Sequence, residues 1–214
     1  PYADDLGLNL PLITYQGALV KESATGEVLY ERTVDAELAR QVVDLAYEKG
    51  LSLNFYVDDW ILVDTLTTEC DTYARKFNAR FREVGDLRKF GHLSPIKLLV
   101  IDYDEDSLNA LEVECNQIFG SSLHITKSMP EYLEFLHPEA TKAAGVEAVA
   151  NHLGIRAEEV MAIGDSWNDL EMLEYAGMAV VMGNARDAIK EKADYVTCSN
   201  EDDGVAEALE QLLI

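Results

Sequence analysis

The chain has 214 residues, 48% of them hydrophobic, enough for one large domain or two small ones with buried cores. Its 40 Asp and Glu against 17 Lys and Arg leave a formal charge of −23, a field that repels nucleic acid and anionic membranes. An anionic substrate therefore needs a local Lys, a helix N-terminus or a bound cation to reverse the sign.

Cys70, Cys115 and Cys198 are odd in number and lack C-x-x-C spacing, which argues against a disulfide framework and a zinc site and for reduced thiols. No apolar run approaches the roughly 18 to 20 residues of a membrane span, and no signal region opens the chain, so a soluble cytoplasmic protein is expected. The first residue is Pro1 rather than Met, which reflects either processing or a sequence that begins inside a longer polypeptide.

In chain order, the opening "PYADDLGLNLPLITYQGALV" holds a short apolar strand, "PLITY", and little else. Residues 35–50 read as an amphipathic helix with Leu38, Val42, Leu45 and Ala46 aligned, followed by a β-hairpin over 51–65. A helix is predicted over 73–86, a strand over 95–103 and a helix over 106–120 that stops at Gly120. Strands over 123–129 and 131–137 meet at Pro130 with almost no room for a helix, so antiparallel pairing is expected.

A helix over 139–154, closed by Gly154, then feeds a regular alternation: strands over 160–164, 179–183 and 195–198, and helices over 168–177, 185–193 and 204–213. Short, continuously apolar strands between helices mark a parallel sheet covered on both faces, and the fold class is α/β. Residues 21–137 thus read as an α+β layer inserted into a doubly wound domain made of 1–20 and 138–214. There is no internal repeat.

The chemistry concentrates in "VMAIGDSWNDLEML", residues 160–173. In an open parallel sheet ligands bind beyond the carboxyl ends of the strands, and Asp165 stands one residue past such an end. Asn168 or Asp169 begins the next helix, where both residue types are preferred caps. Two carboxylates four residues apart are also suited to a hard cation such as Mg²⁺. On spacing alone, helix capping and metal binding remain equally open.

The stretches "GDSWNDLEMLEYAG", "AVVMGNA", "ADYVT" and "SNEDDGVAEALE" resemble the C-terminal signature of the haloacid dehalogenase (HAD) superfamily of phosphatases, in its Cof-type branch with a large C2B cap. "PYADDLGL" and "PLITYQGALV" resemble the segment after the family's second motif, and "PEYLEFLHPEATKAAGVEAV" resembles the return to the core that carries the motif lysine. The resemblance runs nearly end to end. It implies a three-layer α/β/α core with an inserted cap.

It also makes Lys142 the lysine that holds the substrate phosphoryl group beside the nucleophile, Asp165 the Mg²⁺ ligand and Asn168 a phosphate-contacting amide. Asp169 becomes the second acid, either a water-bridged metal ligand or the group that orients Lys142. Asn184 and Asn200 match family positions but stand where helices need caps, and read as structural.

Three departures stand out. The nucleophile and general acid of the family's D-x-D-G-T strand end, and the Thr of the second motif, are absent and are expected before Pro1. The internal Asp102-Tyr103-Asp104 lacks the Gly-Thr and reads as a helix cap, and "YVDDW" over 56–60 lacks the basic groove of a polymerase. Gln16 stands where the family usually has Asn.

The implied activity is Mg²⁺-dependent hydrolysis of small phosphorylated metabolites, sugar phosphates or phosphorylated cofactors, through an aspartyl-phosphate. Hairpin residues Tyr56, Asp58, Asp59 and Trp60 are candidates for contact with the leaving group, against the alternative that they are core. If the chain is complete as it stands, the other reading is an inactive binding or regulatory protein. Monomer and homodimer are both open.

Overall fold

The computed structural model describes residues 2–5 and 7–213. The first third comprises α1 (Tyr2–Asp5), β1 (Pro11–Thr14), β2 (Leu19–Glu22), β3 (Val28–Glu31), α2 (Ala36–Lys49), β4 (Leu53–Val57) and β5 (Trp60–Val63). Next come α3 (Thr68–Phe77), β6 (Phe81–Glu83), β7 (Lys97–Ile101), α4 (Glu105–Phe119), β8 (His124–Met129) and β9 (Tyr132–Leu136). The chain closes with α5 (Lys142–Leu153), β10 (Met161–Gly164), α6 (Leu170–Tyr175), β11 (Met178–Val181), α7 (Asp187–Lys190), β12 (Tyr195–Val196) and α8 (Gly204–Leu213). Two compact units result, one of Pro1–Tyr30 with Thr141–Ile214, the other of Glu31–Ala140.

In the unit Glu31–Ala140, a six-stranded sheet runs in the order β6-β5-β4-β7-β9-β8. Alternation along the strands sends Leu53, Phe55, Leu98, Val100, Leu133 and Phe135 into one core with Val42 and Val43 of α2 and Leu108 and Leu111 of α4. The intervening Asn54, Lys97 and Glu134 are buried as well. Asp35 caps α2 by accepting the N–H groups of Glu37 and Leu38, and Asp104 caps α4 through those of Asp106 and Ser107. Asp102 accepts the N–H of Asp104 at 2.9 Å, so this acidic pair is a cap, as its missing Gly-Thr implies.

One element of this unit departs from expectation. The predicted helix over 73–86 ends at Phe77, because Asn78 takes the left-handed conformation at φ 51° and returns its N–H to the Ala74 carbonyl. Residues 81–83 then leave the helix to pair in parallel with β5, Ile61 opposite Phe81. Pairing with a distant strand outweighs helical propensity here. Asp58 and Asp59, both left-handed at φ 48° and 61°, form the tight β4–β5 turn.

In the other unit, β1, β2 and β3 make a small sheet in which β1 and β2 run antiparallel, with Pro11 opposite Glu22 and Thr14 opposite Leu19. Residues 21–30, read from the sequence as part of the inserted layer, therefore lie in this unit, because β2 continues the pairing that β1 begins. Helix α5 packs on this sheet so closely that a Cβ on Gly145 would stand 2.5 Å from Ile13 Cγ2. The second sheet is parallel, β10-β11-β12, with Ala162 opposite Ala179 and Val180 opposite Tyr195. Ala162, Leu173, Ala179, Val181, Ala185 and Ile189 form its core. The α/β class is borne out, while the helix expected over 185–193 is regular only over Asp187–Lys190. Among the described residues no helix is long and apolar enough to cross a membrane.

Candidate active site

Strand β10 ends at Gly164, and the chain turns at once into the segment that carries Asp165, Asn168 and Asp169. The turn is held by Asp169, whose Oδ2 accepts the backbone N–H groups of Asp165 and Ser166, each at 3.0 Å. Its side chain lies so close under the strand end that a Cβ on Gly164 would stand 2.6 Å from Asp169 Cβ. Only glycine admits that approach.

Asp169 is 4% exposed and its second oxygen is also engaged: Lys142 Nζ donates to Oδ1 at 2.5 Å. Lys142 opens α5, and Thr141 fixes that helix start by accepting the N–H of Ala144 at 3.2 Å. One buried carboxylate therefore does two jobs: it staples the turn after β10 and it holds the lysine. The capping that the spacing suggested is made by the same carboxylate that bonds Lys142.

Asp165 is exposed at the rim of the parallel sheet. Its Oδ1 accepts Ser166 Oγ at 3.2 Å and its Oδ2 accepts Asn184 Nδ2 at 2.9 Å. Asn184 Oδ1 in turn accepts the backbone N–H of Asn200 at 3.0 Å. The structural reading of Asn184 as a helix cap is thus corrected, since α7 starts three residues later and the side chain orients a candidate metal ligand instead. Ser199 rather than Asn200 caps the next helical turn. Only the "MGNA" motif match hinted at Asn184; its contact joins loops that no local spacing relates.

Asn168 turns towards the loop between β1 and β2, where its Nδ2 donates to Gln16 Oε1 at 3.1 Å. Its Oδ1 is buried with no hydrogen-bond partner among the described residues. The Gln16 loop is left-handed at three successive residues, Tyr15, Gln16 and Gly17, with φ of 50°, 55° and 91°. Gly17 is obligatory, since a Cβ there would fall 1.9 Å from the Thr141 carbonyl oxygen.

The structure thus joins Lys142 to Asp169, sets Asp165 one residue past β10 and hands Asn168 to Gln16. No cluster of three or more His, Cys, Asp or Glu side chains placed for a metal ion occurs among the described residues. The chemistry of Asp165 still fits a hard cation, because Mg²⁺ is commonly held by one or two carboxylates and takes its remaining oxygens from water and phosphate. In the unit Glu31–Ala140, Tyr56 is 5% exposed and shares a 2.8 Å hydrogen bond with the Tyr73 hydroxyl, and burial drives its phenol pKa far upward. The Trp60 ring is covered by the Arg82 guanidinium at 4.3 Å. Asp58 and Asp59 are the turn itself.

A family model for haloacid dehalogenase-like hydrolases matches residues 1–209. The chain is similar to 5-amino-6-(5-phospho-D-ribitylamino)uracil phosphatase YwtE of Bacillus subtilis (strain 168), 29% identical, with 96% of this chain and 79% of that protein covered. It is 31% identical to the HMP-PP phosphatase of Enterobacter sp. (strain 638), over 84% of this chain and 65% of that one. The crystal structure of a haloacid dehalogenase-like hydrolase from Bacteroides thetaiotaomicron superposes with a TM-score of 0.88 at 30% identity, covering 100% of this chain and 81% of that one. By its motifs, its fold and these relatives, the chain belongs to the haloacid dehalogenase-like hydrolases.

Proposed function

We propose that this chain carries the cation-binding and phosphate-binding part of a Mg²⁺-dependent phosphomonoester hydrolase for small phosphorylated metabolites. The observation that carries the reading is the Lys142–Asp169 pair, 2.5 Å apart, beside Asp165 at the carboxyl end of a parallel strand. In a protein of charge −23, this is a place where a dianionic phosphate meets a held cation. The relatives named as phosphatases of phosphorylated small molecules support the substrate class.

In this proposal Lys142 donates to a phosphoryl oxygen and offsets the charge that builds on it, with Asp169 keeping the ammonium in place. Asn168 binds the same phosphoryl group through its amide. Asp165 holds Mg²⁺, which when bound supplies Lewis-acid charge against the phosphate oxygens. Both Asp169 oxygens are already engaged, which supports the lysine-orienting role for that residue over the metal-ligand role.

The expected reaction is attack by a carboxylate on phosphorus with departure of the substrate alcohol, then hydrolysis of the aspartyl-phosphate by water. Among the described residues the aspartate bonded to Lys142, Asp169, has both oxygens engaged, and the proposal does not make it the nucleophile. We further assign the unit Glu31–Ala140 to the C2B class of caps. The test is phosphate release from p-nitrophenyl phosphate by the full-length protein. Activity should require Mg²⁺, vanish in EDTA and fall by about 10²-fold or more in Asp165→Ala; undiminished turnover in the chelated enzyme would sink the metal assignment.

A further inference from the structure

We infer that Gln16 is a positioning residue for phosphate, acting through the amide of Asn168; the inference rests on the function proposed above. Two loops 152 residues apart meet at this contact, where Asn168 Nδ2 donates to Gln16 Oε1 at 3.1 Å. A primary amide nitrogen carries two N–H groups. Gln16 engages one, which fixes the plane of the Asn168 amide and leaves the other for a phosphoryl oxygen. The Asn168 oxygen, which would repel phosphate, is buried without a partner among the described residues, a costly arrangement that a free side chain would relieve by rotating. Gln16 is the anchor that opposes that rotation.

The backbone around Gln16 is built to hold this geometry. Tyr15 and Gln16 are both left-handed although neither is glycine, and a bond from the Ala18 N–H to the Tyr15 carbonyl at 2.9 Å closes the turn. Gly17 presses on the Thr141 carbonyl, one residue before Lys142, so the same loop registers Asn168 and the start of α5. Backbone strain that persists in this way is over-determined by its surroundings and is characteristic of ligand-binding sites.

The experiment compares full-length wild type with Gln16→Ala, Gln16→Asn, Gln16→Gly, Asn168→Ala and the double variant Gln16→Ala/Asn168→Ala. Inorganic phosphate affinity is measured by titration calorimetry, with KM, kcat and Tm alongside. Expected are an approximately tenfold weaker phosphate affinity and raised KM in Gln16→Ala, from one misdirected hydrogen bond to a charged ligand. Gln16→Asn should recover most of that affinity. Gln16→Gly, which relaxes the backbone and still lacks the amide, should bind as poorly as Gln16→Ala. In the Asn168→Ala background, removing Gln16 should cost nothing further.

Phosphate affinity and KM unchanged in Gln16→Ala, or the same loss with and without Asn168, would overturn the inference. A Tm loss with unaltered constants for the folded fraction would do so too, since it would make Gln16 merely structural. Failure of the wild type itself to bind phosphate would instead overturn the function on which the inference rests.

Discussion

Each of the two units holds a lysine–carboxylate pair, and the pairs differ in what they leave open. In the unit Glu31–Ala140, Lys97 and Glu134 are 3.2 Å apart with side chains only 9% and 3% exposed. Ser128 donates its hydroxyl to Glu134 at 2.5 Å, and the lysine ammonium lies 4.8 Å over the Tyr56 ring. In the other unit, the Asp169 side chain is also buried, at 6% exposed, but Lys142 keeps 31% of its side chain exposed. The same chemistry therefore serves two ends. A pair enclosed on both sides contributes to a rigid sheet, whereas a pair whose carboxylate is buried and whose ammonium faces outward presents a positioned cation.

The most severe break of this contrast comes from removing the acid of the enclosed pair. Glu134→Ala removes the carboxylate 3.2 Å from the buried Lys97 ammonium and should cost about 3–5 kcal/mol in denaturant unfolding. Lys142→Ala should do the opposite: a loss in kcat/KM of about 10²–10³-fold on p-nitrophenyl phosphate, with a Tm within a few degrees of wild type. Equal stability losses in both variants would remove the distinction between the two pairs.

A smaller effect would sharpen it. Asn184→Ala leaves Asp165 in place but frees its carboxylate to turn, and the apparent Mg²⁺ affinity, read from the metal dependence of activity, should weaken about 10-fold. The smallest effect belongs to Tyr47, whose hydroxyl donates to Asp64 at 2.5 Å and accepts the Leu87 N–H at 3.0 Å. Burial, then the bond to Asp64, pushes its phenol up to about 12 from an ordinary value of 10.0. A raised folded-state pKa stabilises below pH 10 and loses that contribution as pH rises towards 12. Wild type should thus lose stability over that window relative to Tyr47→Phe, in chemical melts at stepped pH; parallel curves would exclude the linkage.

Legibility in the sequence differed along the same division. Helix α2 could be read because Asp35 and Gly50 are local punctuation, and helix α5 because Gly154 ends it. Strand β6 could not, since Asn78 is as acceptable within a weak helical pattern as in the left-handed turn it forms, and only the neighbouring β5 decides. Residues 21–30 fall outside the inserted layer that the sequence implies for a similar reason: their polar, turn-rich text carries no trace of the β1 strand with which β2 pairs. A polar residue before a helix resembles a cap whether or not its side chain turns the other way, as that of Asn184 does.

By itself the sequence determined the α/β class, the existence of most elements and the placing of Asp165, Asn168 and Asp169 at one strand-to-helix turn. These follow from periodicities and caps that act over a few residues, and the family motifs point to the same turn. The tertiary structure decided which side chains meet: Lys142 with Asp169 across 27 residues, Asn168 with Gln16 across 152, Asp165 with Asn184 across 19. Such bonds are set by sheet register and helix packing, so their partners share no local pattern until the chain has folded.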